Sequence, residues 1–434
     1  MQYRALLLTI AMCLGACEEP EPLVCGGAQL EPLTLAAGGR AEIAMSAELA
    51  ATLADVAVTG GADVWRDGDR IVVRAGYVAT DATLSLRCDH GALDVPVTVE
   101  ALSMTPLLQW SPSETPDAPP AREYFAWWIG SDRALHLYGG FVYQPRQFTP
   151  STDAFRLDLG TLVWSRVAVS GTPPPPGGRV AAGPDGAILY FGGASITDTG
   201  LDTPPILARF VGGEGTLEVS PAASSEGAPG SYTGALVHDA ARDRWLSVCG
   251  ADTRALGIHC RVHAYTPSGG FTELAIEGTA PRGRYGFHYA LDAANDRVIV
   301  FAGQVGPGDL DIGGDTWALE LASDPPRWEQ LFASSDGIAP RRNGAYALDP
   351  EGRRLFVWGG TSDGRTAVPG LEVLELDRGR ERWIHVELPA SIPPRASGAG
   401  VLDPEGRRIL WGFGNEARLY TDLYALELAP RDGI

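Results

Sequence analysis

Short apolar runs alternating with polar turns fill the chain from about residue 105 to its end, and one of them returns at nearly fixed spacing. The copies are LHLYGG ending at Gly140, ILYFGG at Gly193, WLSVCG at Gly250, VIVFAG at Gly303, LFVWGG at Gly360 and ILWGFG at Gly414. Their steps are 53, 57, 53, 57 and 54 residues. A self-similar period near 50 residues built from such short runs predicts radially repeated β-sheets, one sheet per period. A hairpin signal precedes the run: LDPEGRR from Leu348 and again from Leu402, LDAANDR from Leu291 and HDAARDR from His238. Asp349, Pro350 and Gly352 stand where a tight turn wants them, so the first two strands of each unit are antiparallel neighbours. The paired glycines ending the second strand permit a sharp bend and close backbone approach.

After each glycine pair comes a variable polar loop, then an acidic residue leading into a third alternating strand, as at Asp153, Asp315 and Asp422 and, in a broken form, from Leu371 to Asp377. A fourth strand carries Trp164, Phe271, Trp328 or Trp383, with Leu217 in the second unit, and large rings there fill the space between adjacent sheets. A proline-rich link then ends at Arg122, Arg179, Arg284, Arg341 or Arg395, with Ser231 in the third unit. The sixth unit runs out of chain after DLYALEL, whereas LLQW, ending at Trp110, is an orphan strand ahead of the first unit. The orphan is expected to complete the sixth sheet and lock the ring, removing an exposed edge.

Glycine pair, acidic residue, aromatic strand, then Pro and Arg at matched spacing resemble kelch repeats, over roughly residues 105 to 434. The resemblance implies an all-β fold with a six-bladed kelch-type β-propeller over 104–434. The second and third units depart most from the pattern. Upstream, segments such as PLTLA, DRIVVRA, ATLSLRC and LDVPVTVE between about residues 25 and 103 read as a small β-sandwich. By pattern and size it resembles bacterial immunoglobulin-like domains, and a spacer role is expected.

The first 16 residues combine Arg4, the apolar run ALLLTIAMCL and Leu14-Gly15-Ala16 before Cys17, a secretory signal too short to span a membrane stably. Small residues directly before a Cys resemble the lipobox of bacterial lipoproteins, which implies an acylated Cys17, a short linker over 17–24 and attachment to the cell envelope by lipid. Glu18 follows, so the inner-membrane retention signal of Asp at that place is missing and the outer membrane is expected. With Cys13 leaving in the signal and Cys17 acylated, Cys25, Cys88, Cys249 and Cys260 remain, and four cysteines allow three pairings. Cys25 with Cys88 would clamp the ends of the small domain, and Cys249 with Cys260 would join consecutive strands of one repeat.

Formal charge is -20, and all basic residues are Arg. So acidic a chain repels nucleic acid and anionic headgroups. No phosphate loop, zinc helix or nucleophile elbow occurs. His259 and His263, on one strand, would lie about 13 Å apart, too far to share a metal. Asp309, Asp311 and Asp315 lack the glutamate of a calcium loop. His288, on an inner strand, reads as a hydrogen-bonded core residue. Neither metal nor cofactor is expected.

The candidate ligand groups are the ring Arg122, Arg179, Arg284, Arg341 and Arg395, placed by the repeat around one channel mouth and able to hold a carboxylate, a sulfate or a sugar acid. The competing reading pairs each with a neighbouring blade's Asp or a carbonyl, since buried Arg is normally paired. FVYQPRQFTPST from Phe141 is the longest loop expected on that face. The function expected is non-enzymatic: binding or scaffolding for a protein or glycan of the cell envelope. The alternative is a carbohydrate-active enzyme of the sugar-acid isomerase or oxidase type.

Overall fold

The computed structural model describes residues 24–428 apart from 145–146, 199, 214, 223–225, 255–256, 335–337 and 417. The expected signal segment, Cys17 and nearly all of the expected linker lie outside the described residues. The chain divides into two compact units between Ala101 and Leu102, two residues before the expected boundary.

In the first unit, a four-stranded sheet (Leu33–Leu35, Gly91–Val99, Thr80–Cys88, Leu53–Val58) and a three-stranded sheet (Arg40–Ala44, Arg70–Ala75, Ala62–Asp67) form an immunoglobulin-like sandwich. Alternate residues of both sheets supply one core, among them Leu33, Leu35, Ile71, Val73, Leu84, Leu86, Val95 and Val97. Cys25 and Cys88 are disulfide-bonded across a separation of 63 residues.

The second unit is a propeller of six blades. Blades 3, 4 and 5 are four-stranded meanders: Ala235–Asp239 to Gly270–Glu273, His288–Asp292 to Arg327–Phe332, and Ala345–Asp349 to Arg382–Val386. The sixth blade takes three strands from the C-terminal end (Ala399–Asp403, Arg408–Gly412, Asp422–Glu427) and its outer strand, Met104–Gln109, from the other end of the unit. Met104–Gln109 runs antiparallel to Asp422–Glu427, so the ring is closed by main-chain hydrogen bonds between the two ends of the propeller. Blades 1 (Ala126–Ile129 to Val163–Gly171) and 2 (Gly178–Ala182 to Thr216–Pro221) are fused at their rims, where Ala168–Gly171 pairs in parallel with Thr216–Val219. Gly171 is required there: its φ is 87°, and a Cβ would lie 1.9 Å from Val219 O.

The inner strands follow one another around the channel, and apolar side chains fill the wedges between blades. Trp110, Phe125, Trp164, Leu410 and Phe413 pack between blades 6 and 1, and Val248, Phe287, Trp317 and Trp328 between blades 3 and 4. Trp383 shows the part played by the fourth-strand aromatic. It lies 4.4 Å from Phe301 of the preceding blade, and its Nε1 donates to Thr316 Oγ1 at 3.0 Å.

On the face of the first hairpins, Asp and Arg at the two ends of each turn pair across the strands. The distances are 2.9 Å for Asp239–Arg244, 2.9 Å for Asp292–Arg297, 2.6 Å for Asp349–Arg354 and 3.0 Å for Asp403–Arg408. Arg242 extends the network to Asp296 of the next blade at 2.7 Å. Sequence reading took these hairpins for turn chemistry alone. The signal for the ion pairs was the recurring Asp and Arg five residues apart.

Candidate functional site

The opposite face carries the channel mouth, built from the segments that lead into the six inner strands. Residues two places beyond the repeat-arginine position adopt left-handed backbone: Tyr124, Thr233, Asn343 and Ser397 have φ between 47° and 56°, and Gly286 has 60°. This turns the amides of Thr233, Gly286, Asn343 and Ser397 sideways, into a chain of blade-to-blade hydrogen bonds. Thr233 N–H donates to Gly177 O (3.3 Å), Gly286 to Thr233 O (3.1 Å), Asn343 to Gly286 O (2.8 Å) and Ser397 to Asn343 O (2.6 Å). The mouth is therefore a rigid collar.

Four of the five candidate arginines are consumed by the fold. Arg122, Arg284, Arg341 and Arg395 are at most 1% exposed, and each holds a carboxylate on its own blade's third strand. The distances are 2.7 Å to Asp153, 2.9 Å to Asp315, 2.7 Å to Glu372 and 2.5 Å to Asp422. Each also donates to a carbonyl in the glycine-pair turn: Gly139, Ala302, Gly359 or Phe413. The partner acid belongs to the same blade rather than to the neighbouring one. These four are not available to a ligand, which corrects the expectation of a five-membered ring.

Arg179 is different because it does not occupy the repeat position. It pairs with Phe191 as His288 pairs with Phe301, so it stands on the inner strand itself, four residues beyond the slot that Pro175 fills in blade 2. Its Nε donates to Gly234 O at 3.3 Å, and among the described residues no carboxylate approaches it. Tyr289 and Tyr346 line the same cavity instead. Sequence spacing carried this signal. Arg precedes the first residue of the glycine pair by 17 or 18 positions in blades 1, 4, 5 and 6 but by 13 in blade 2.

Arg179, Tyr124, Tyr289, Tyr346, Asn343 and Ser397 line a central cavity of about 350 Å³ whose blade 6 wall is Gly398-Ala399-Gly400. Tyr124 reaches across it. The hydroxyl accepts from Asn343 Nδ2 at 3.0 Å, the ring lies 5.8 Å from Tyr232, and burial pushes its pKa up to about 12. None of these tyrosines was singled out from sequence, because strand alternation does not tell which side chains reach the channel. His288 is a core residue. It donates from Nδ1 to Phe301 O (3.3 Å), accepts at Nε2 from Gly344 N–H (3.0 Å), and burial pulls its pKa down to about 3.

Glu123, beside Tyr124, is 6% exposed, and its carboxyl accepts from Asn415 Nδ2. Burial pushes its pKa up from 4.5 to about 7, against a hydrogen bond from Ser397. Between these values the folded protein keeps a proton that the unfolded chain has released. Glu123 therefore lowers stability as pH rises from 4.5 to 7, by about 3 kcal/mol in all. Glu123→Gln is expected to remove this part of the slope and to be the more stable form at pH 8. Urea denaturation of both forms at pH 5 and pH 8 checks it, and parallel pH dependences would refute it.

FVYQPRQFTPST is not a loop. Its aromatic and β-branched residues extend two strands, Leu135–Gln144 and Gln147–Asp158, into a projecting hairpin on which Tyr143 and Phe148 are exposed and 5.6 Å apart. Cys249 and Cys260 are disulfide-bonded on adjacent strands of blade 3. His259 and His263 are buried, with the His259 pKa pulled down to about 4 by burial first and His263 second. Asp315 is taken by Arg284 and by Trp317 Nε1. Among the described residues no three His, Cys, Asp or Glu side chains are grouped to hold a metal.

Residues 242–431 match the family model described as the KLHDC2/KLHL20/DRC7 Kelch-repeats domain. The larger unit is a kelch-type β-propeller. The chain is similar to Adagio-like protein 3 of Oryza sativa subsp. japonica, 24% identical over 327 residues, 68% of this chain and 47% of that protein. Adagio-like protein 1 of the same organism is 27% identical over 163 residues, 36% of this chain and 24% of the relative. The chain thus spans about half or less of these relatives. The solved structure titled "Structure of YjhT" shares the fold, with a TM-score of 0.53 at 14% identity, over 73% of this chain and 97% of that one.

Proposed function

We propose that this is an exported, lipid-anchored binding module that uses the mouth face of its kelch propeller to hold a protein or glycan of the cell envelope, without turnover. The observation that carries this is the projecting hairpin of blade 1. It presents the Tyr143–Phe148 pair to solvent beside a collar whose repeated arginines are already satisfied. Aromatic faces next to Asn343 and Ser397 suit sugars and peptides alike. The blade 2 hairpin adds the exposed cross-strand pair Ile196–Leu201 on the same face. The second reading, a carbohydrate-active enzyme, has one observation in favour: the carboxyl of Glu123, with a pKa near 7, stands next to the channel-spanning Tyr124.

The test has two arms. Cys17→Ser is expected to abolish palmitate labelling and to release the protein from membranes, and a membrane-bound, unlabelled variant would overturn the lipid anchor. The full-length protein, immobilised, is expected to retain one of three purified materials: peptidoglycan, lipopolysaccharide or outer-membrane protein. The Tyr143→Ser/Phe148→Ser form should retain about tenfold less. Equal retention by both forms would remove the hairpin from the binding face, and chemical conversion of the retained glycan would favour the enzyme.

A further inference from the structure

We propose that Arg179 is the anion-binding group of the central channel, and that the cavity around it takes the carboxylate of a sugar acid, either free or at the end of an envelope glycan. This rests on the reading of the mouth as the binding face and names the chemistry of its deepest point.

Three features of the cavity lead there. The first is an uncompensated charge. Arg179 has five N–H donors in a planar fork, of which the described protein takes one, at Gly234 O. Its four sequence counterparts each have a carboxylate and a carbonyl. A guanidinium held among protein walls without a counter-charge is held at a cost, and an anion arriving from solvent removes that cost.

The second feature is the company it keeps. Tyr124, Tyr289 and Tyr346 line the cavity together with the guanidinium, while Asn343 and Ser397 add an amide and a hydroxyl. Ring faces with interspersed neutral donors suit a pyranose with its hydroxyls.

The third feature is room of the right size and charge. Gly398-Ala399-Gly400 leaves the blade 6 wall without large side chains, and about 350 Å³ lies at the small end of ligand pockets, enough for a terminal sugar. One arginine among the described lining residues, in a chain of net charge -20, selects one negative charge and disfavours phosphate chains or polyanions.

Isothermal titration of the full-length protein in detergent tests this with glucuronate and N-acetylneuraminate as free acids, a glucuronate-terminated tetrasaccharide as the glycan end, and glucose as the neutral control. At least one acidic probe is expected to bind saturably, and glucose should not. Saturation by the free acids shows that the small molecule suffices, and saturation by the tetrasaccharide alone assigns the site to a glycan terminus. Arg179→Met is expected to weaken binding by about 10- to 100-fold, the loss of hydrogen bonds to a charged group, with Arg179→Lys in between. Arg179 has one hydrogen bond among the described residues, so the melting temperature of Arg179→Met should match the parent and exclude unfolding as the cause. The proposal is overturned if no acidic probe binds, if glucose binds equally well, or if Arg179→Met binds as the parent does. Envelope retention that persists unchanged in Arg179→Met would overturn the glycan-end form of the anion site while leaving the binding-module reading intact; loss of all retention by the parent would remove that reading instead.

Discussion

Arg341→Ala is expected to destabilise the propeller by about 3–5 kcal/mol, the usual cost of breaking one side of a buried ion pair. That corresponds to a fall in melting temperature on the order of 10 °C. The size follows from how many connections end on this residue. Its guanidinium donates to Glu372 at 2.7 Å, to Gly359 O at 3.3 Å and to Ala339 O at 3.2 Å. Its carbonyl accepts from Gly303 N–H of the preceding blade at 2.9 Å. The side chain ties blade 5 together while the main chain ties blade 5 to blade 4. Truncation leaves Glu372, itself 3% exposed, with His385 Nδ1 at 3.1 Å as its remaining ionisable partner. The double variant Arg341→Ala/Glu372→Gln should lose less than the sum of Arg341→Ala and Glu372→Gln, because it leaves no buried charge without a counter-charge. Thermal unfolding of the four forms decides this; a single variant within 1–2 °C of the parent, or strict additivity, would mean that the pair is not the rivet described.

The same residues show what could be read from the chain. The glycine pair and its period near 54 residues gave the number of blades, because each blade buries its faces only against another like it. Arg122 and Asp153, Arg284 and Asp315, and Arg341 and Glu372 all lie 31 residues apart. A constant separation between opposite charges in a repeat is a pairing signal.

The glycines themselves are only partly about turning. The first position of the pair has positive φ in every blade, yet Cys249, Ala302 and Phe413 adopt it in three of them. Close approach is the sharper reason: a Cβ on Gly359 would lie 2.0 Å from Arg395 O, and one on Gly192 1.9 Å from Ser231 O. Arg179 ends a proline-rich link that looks like the repeat, while its register is set by the strand it pairs with. The tyrosine lining was not legible, since it depends on side chains from separate blades meeting across the ring.

Removal of residues 104–110 is expected to have the largest effect of all: loss of the monomeric folded propeller. Those residues provide the outer strand of blade 6, in register from Gln109 opposite Asp422 to Met104 opposite Leu426. Without them Asp422–Glu427 becomes a free edge able to pair with other chains. Trp110 adds a core contribution. Its ring lies 5.4 Å from Trp164 of blade 1 and 5.3 Å from Phe413 of blade 6, and its Nε1 donates to Pro119 O at 2.8 Å. Truncating this one side chain should cost about 3–5 kcal/mol, and deleting the strand adds the loss of its backbone pairing. Pro106 fits the same account, because a residue without an N–H is tolerated on the outermost strand, where one edge has no partner. The deletion form should therefore be recovered as aggregate or as a species of higher mass. A synthetic peptide spanning residues 102–112 should bind the unsealed blade and restore a monomer in size-exclusion chromatography. A soluble monomer with the parental melting temperature, in the absence of that peptide, would show that the ring does not depend on its seal. The same experiment bears on the channel, because the wedge closed by Trp110 supports blades 6 and 1, which carry Ser397 and Tyr124 at the mouth.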